Sequence, residues 1–216
     1  GAFEAIDLAG DHIIFLIGLD CSEAEMKTLL ETIKRHIRKY VRLNVVVAIS
    51  DAKHREDDLR SVYDFVHELT LLKFISGRDR IYTENDYERY VQMMQPQSEL
   101  KSVDKLLAAV KAGKKEQVAL LLDELFSQLA AMKLSECKVQ LTVMLFAIVK
   151  EFDKLSALQG VDGIDKQLAR FPTLQDLRRW LEQELLDIMN RLNSRQGSDR
   201  KEKLAEEMIA YIEYHI

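Results

Sequence analysis

Eight consecutive residues, Leu43, Asn44, Val45, Val46, Val47, Ala48, Ile49 and Ser50, are the most restrictive stretch of the sequence. β-Branched side chains lose rotamer freedom in a helix and pack well on a pleated surface, so the run predicts a buried strand. A second apolar run, His12 to Ile17, lies one helical segment earlier. Strand, helix, strand, helix in that order predicts a sheet covered by helices, with 43–50 as its central strand.

The flanking segments fit that plan. Residues 1–8 read as an incomplete strand or a linker, and Ala9, Gly10 and Asp11 form a turn signal. Asp20 or Ser22 caps the next helix, whose stripe of Met26, Leu29, Leu30, Ile33 and Ile37 is expected to pack on the sheet. Its exit is basic (Lys34, Arg35, Arg38, Lys39), which suits the negative end of a helix dipole. After the long strand, a polar loop leads into a helix marked by Leu59, Val62, Val66 and Leu69. Gly77 ends that helix, and Arg80 to Tyr82 form a short last strand. Residues 83–98, polar and containing Pro96, mark a domain boundary.

Beyond the boundary the period becomes helical throughout, over 100–110, 117–132, 135–155 and 174–192. Residues 1–90 therefore form an α/β domain, 99–193 an all-α helical domain, and 198–216 a further helix entered through a Ser/Gly hinge at 193–198. The helix over 135–155 is apolar around most of its circumference, which predicts the centre of a bundle or, alternatively, an oligomer contact. Leu141 and Phe152 in it, with Trp180 and Leu204, are the candidate coupling or interface residues. Thr173 caps the helix from Leu174, with Asp176 completing an acidic capping box.

A net charge of −5 over 216 residues supplies no broad attraction to nucleic acid or an anionic bilayer. Two distant cysteines, Cys21 and Cys137, suggest neither a disulfide framework nor a zinc site, and no apolar run approaches membrane-spanning length. A cytoplasmic protein with no direct membrane contact is expected. The chain opens on Gly1 and its last helical pattern runs to Ile216, so a piece of a longer protein is expected.

Asp11, His12, Asp20 and Cys21, at the two ends of the 12–17 run, form the richest polar cluster, in which Asp11 and His12 read either as metal ligands or an acid/base pair or as ordinary turn chemistry. Arg78 and Arg80 flank the glycine turn, where they either bind a phosphate with the loop amides or border a plain C-cap. His54 sits in an acidic loop without converging ligands, and Cys21 has no catalytic partner by spacing. Walker, GxGxxG, HExxH and GxSxG motifs are absent. No catalytic, metal or cofactor residue is assigned, and a nonenzyme without cofactor is expected.

Residues 9–13, followed by strand 14–17, resemble the hairpin motif of GGDEF-type domains; 45–50, 59–73 and 76–80 are similar to the family's later strand, helix and glycine turn. Gly10 and Asp11 match the signature, whereas Ala9, His12 and Ile13 stand where the family has glycine, glutamate and phenylalanine. The resemblance therefore implies a degenerate, noncatalytic member. In order, 44–50, 73–78, 106–113 and 173–181 resemble the middle region of AraC-type (YesN-like) transcriptional regulators, and 205–215 resembles the lead-in helix of their DNA-binding domain. That resemblance implies a connector between an upstream receiver or membrane sensor and a downstream DNA reader. It also implies self-association, and contact with DNA only through a C-terminal domain outside this chain. The alternative is a degenerate GGDEF-like sensor binding a nucleotide or other small molecule through Asp11, His12, Arg78 and Arg80.

Overall fold

In the computed structural model, helix dominates, and two small two-stranded sheets lie within the first ninety residues. The structure describes residues 3–8, 12–17, 22–51, 58–77, 80–94, 100, 102–152, 164, 166 and 168–215.

Strands Phe3–Leu8 (β1) and His12–Ile17 (β2) pair antiparallel, with Phe3 opposite Ile17 and Leu8 opposite His12. The 12–17 run was expected beside 43–50; it pairs instead with the segment read as an incomplete strand or linker. A three-residue connection closes this local pairing at little entropic cost. Helix α1 (Glu23–His36) begins at Ser22, whose hydroxyl accepts from the Glu25 amide at 3.3 Å while the Glu25 carboxylate accepts from the Ser22 amide at 2.8 Å. The helix passes into one π-turn, Ile37–Val41, closed by left-handed Arg42. Its stripe is covered only in part: Met26, Leu30 and Ile37 are half-buried, but Leu29 and Ile33 are exposed.

The 43–50 run is not the long central strand it promised to be. Only Val47–Ala48 (β3) is strand, parallel to Ile81–Tyr82 (β4), with one further bond from the Ile49 amide to the Tyr82 carbonyl at 2.8 Å. A ladder is as long as its shorter partner. Here the partner ends at Thr83, which caps helix α4 (Glu84–Met93) through reciprocal bonds with Asp86. Helix α2 (Leu59–Leu71) starts on the Asp58 carboxylate, and the short α3 (Lys73–Ser76) stops at Gly77, whose φ of 95° favours glycine. The Tyr82 hydroxyl donates to the Gly77 carbonyl, fixing that turn over the small core of Leu69, Leu72, Tyr82 and Tyr90. The α/β expectation thus holds only as short sheet fragments among helices. The expected boundary over 83–98 is largely α4.

Helices α5 (Val103–Lys111), α6 (Lys115–Ala130), α7 (Leu134–Phe152) and α8 (Leu174–His215) form the second, larger core. α6 packs against α5, α7 and α8, and α5 also meets α7 and α8. α8 buries Leu174, Leu177, Leu181, Leu185, Ile188 and Met189, a stripe at helical spacing. Its start follows the sequence: Thr173 Oγ1 accepts from the Asp176 amide at 3.1 Å and donates to the Asp176 carboxylate at 2.6 Å. Across the bundle, Arg178 pairs with Asp123 at 2.8 Å, and the Ser102 hydroxyl donates to Glu124 at 2.8 Å. The hinge expected at 193–198 is helical, because α8 continues without a break to His215. Ser194 returns its hydroxyl to the Asn190 carbonyl at 2.9 Å, and the single Gly197 costs only about 1 kcal/mol in a helix interior.

Leu145, fully buried on α7, and Leu120, exposed on α6, should separate in a stability assay. Leu145→Ala is expected to lower unfolding free energy by about 2–5 kcal/mol in urea titration, and Leu120→Ala by less than about 0.5 kcal/mol.

Candidate functional site

The two cores meet at a joint built from α3, α4 and the turn between α6 and α7. Tyr90, in the small core, sends its hydroxyl across to donate to the Met132 carbonyl at 2.6 Å, joining residues 42 positions apart. Met132 is fully buried in the bundle core, and Cys137 on the first turns of α7 is buried beside the tyrosine. Phe74, on α3, packs against the bundle core, and α3 touches α8. Two side chains from the first unit, one polar at its tip and one wholly apolar, thus fix its position on the second.

Burial dominates the electrostatics of this joint. It pushes the Tyr90 phenol up to about 12, with nearby Cys137 and Tyr87 adding to the effect. The Cys137 thiol is likewise pushed up to about 12 by burial, offset in part by Lys138. Tyr87, whose ring lies at 79° to Phe65 with centroids 5.3 Å apart, donates to the Glu68 carboxylate at 3.3 Å; its phenol is raised by burial and then by that carboxylate. Neutral, hydrogen-bonded groups with raised proton affinity can transmit position. A thiol held neutral is a poor nucleophile.

Of the residues singled out by sequence as a ligand site, the structure describes only Arg80 in full. Asp11, Arg78, Cys21 and His54 lie outside the described residues, and His12 is placed only by its backbone, opposite Leu8 in β2. Arg80 is exposed and pairs with Asp86 at 3.2 Å, which occupies its guanidinium at the N-terminus of α4. A shallow depression lined by Ala24, Glu25, Thr28, Leu29 and Thr32 belongs to one surface of α1, with no opposing wall among the described residues. Among the described residues no group of three or more His, Cys, Asp or Glu converges to hold a metal ion, and no helix is long and apolar enough to cross a membrane.

The candidate interface residues fall differently. Leu141 and Phe152 are buried in the bundle core and cannot line a surface. A helix turns its most apolar arc inward, and theirs faces α5 and α6. Trp180 is half-buried against that core, its ring centroid 5.1 Å from that of Phe171, so it anchors the helix to the bundle. Leu204 lies within α8, its side chain outside the described residues. Sequence reasoning missed Tyr90 and Met132. The available signal was Tyr87 and Tyr90 at i, i+3 in an otherwise polar segment, the spacing of one half-buried helix face.

No family model matches this chain, and neither a curated protein nor a solved structure matches it.

Replacing Tyr90 by Phe leaves the buried Met132 carbonyl without its donor and is expected to cost about 1–3 kcal/mol in urea titration. Tyr90 and Cys137 hold their protons more tightly folded than unfolded, where their ordinary values are 10.0 and 9.0. Their contribution is therefore complete below about pH 9 and is lost as pH rises toward 12. Tyr90→Phe should shallow that alkaline decline in thermal melts. Native Cys137 should resist alkylation at pH 8 until denaturant is added.

Proposed function

We propose that this chain is a noncatalytic regulatory and signal-transmission region of an AraC-type transcriptional regulator, coupling an upstream sensor or receiver to a downstream DNA-binding domain in the cytoplasm. One observation carries the reading: α8 is a single helix whose first five turns are locked into the bundle core and whose backbone continues unbroken to His215. An unbroken helix conserves rotational phase along its length, so a displacement of the bundle reaches the far end as a displacement of defined direction. The joint through Tyr90 and Phe74 supplies the input side, because any shift of the first unit bears on the α6–α7 turn and on α8.

For the first ninety residues we propose a divergent GGDEF-like unit. The support is the chain order: a hairpin β1–β2 around Gly10 and Asp11, then α1, β3, α2, the turn at Gly77 and β4. Among the described residues the two sheets do not join. Ala9, His12 and Ile13 in the signature are the support for a scaffold without turnover.

Phase is the quantity to test, in the intact regulator, by insertions after Ser194. Two added residues rotate everything downstream by about 200°, whereas seven return it to within about 20° of its original phase. Signal-dependent expression from a reporter should be lost with two and largely retained with seven. Equal responses for both insertions would dismiss the helix as the transmitting element.

A further inference from the structure

The outer face of α7 has no partner within the described chain. Val139, Val143 and Phe146 are 59, 57 and 42% exposed, while the opposite face carries the fully buried Leu141, Met144, Leu145 and Ile148. At 100° per residue, Glu136, Val139, Val143, Phe146 and Lys150 all lie within about 60° of the direction of Val143. They form one stripe, apolar in the middle, acidic at its N-terminal end and basic at its C-terminal end.

We infer that this stripe is the contact surface for a second copy of the same chain, the two α7 helices running antiparallel about a two-fold axis at Val143. The occupant follows from charge and spacing. Glu136 and Lys150 stand seven residues to either side of Val143. Reversing one helix against another therefore brings Glu136 of each copy opposite Lys150 of its partner, twice. Val143 then faces the partner's Val143, and Val139 faces the partner's Phe146. A two-fold interface must be complementary to itself, and this sequence of side chains is. A parallel pairing would set glutamate against glutamate and lysine against lysine. Half-buried Ala147 on the flank of the stripe gives little bulk to hold the backbones apart.

The pairing also deepens the connector reading, and it rests on that reading for its purpose: two α8 helices carried by one dimer would present two downstream domains in fixed relation. Its geometry is independent of that purpose and is tested on the purified chain.

Sedimentation equilibrium of the full chain is the assay, with circular dichroism confirming that each variant is folded. The wild type is expected to dimerise, and Val143→Asp to weaken the dimer at least tenfold while remaining folded. Glu136→Lys and Lys150→Glu should each weaken it several-fold by placing like charges opposite one another, and the double swap should restore it. Leu120→Asp, at an exposed apolar position on α6, should leave it unchanged. A monomeric wild type would overturn the pairing, as would a dimer indifferent to Val143→Asp, a double swap no better than the single changes, or a dimer lost with Leu120→Asp. None of these results bears on the phase test of α8, so the two readings fail separately.

Discussion

Burial of the inner face of α7 is the contact from which the rest of the bundle takes its position. Cys137, Leu141, Met144, Leu145, Ile148, Val149 and Phe152 leave water together against α5 and α6, in the one core that also takes in the start of α8. Each aliphatic or aromatic side chain among them contributes on the order of 1.5–3 kcal/mol when fully buried. Because that face is fixed, the α6–α7 turn is fixed with it, and the Met132 carbonyl is presented where Tyr90 can reach it. The outer stripe of the same helix is left facing outward for the same reason.

The helical half was readable because its signals are local. Leu174, Leu177, Leu181, Leu185 and Ile188 announce one buried face by spacing alone, and Thr173 with Asp176 announces where the helix starts. Strand pairing is not local, and there the reading failed. Val45 to Ile49 has every property of a long buried strand, yet its extent is decided by β4, which Thr83 cuts short to begin α4. The hinge at 193–198 was misplaced for a related reason: one glycine and two serines weaken a helix by small amounts that the flanking turns offset. α7 was correctly read as apolar almost all round, but composition cannot say which arc faces inward. Leu141 and Val143 look equivalent in the sequence and have opposite fates in the fold.

The candidate site shows the same division. Tyr87 and Tyr90 at i, i+3 mark a half-buried helix face, but a hydroxyl-to-carbonyl contact across 42 residues has no sequence signature, so the partner of Tyr90 is not legible in the sequence. Of the charged residues that stand out in the sequence, Arg80 is engaged locally by Asp86. Conspicuous polarity marked helix ends, whereas the joint rests on a buried phenol, a backbone oxygen and Phe74.

The length of α8 carries a mechanical consequence. Its 42 residues span roughly 63 Å, of which about the last 35 Å lies beyond the stripe that holds it in the bundle. A tilt of roughly 10° about the seated end would sweep the far end through about 6 Å. On the proposed reading the helix would act as a lever with its fulcrum in the hydrophobic core, so that a rotation at Leu177 or Leu185 would reach its tip enlarged in proportion to the distance from the pivot.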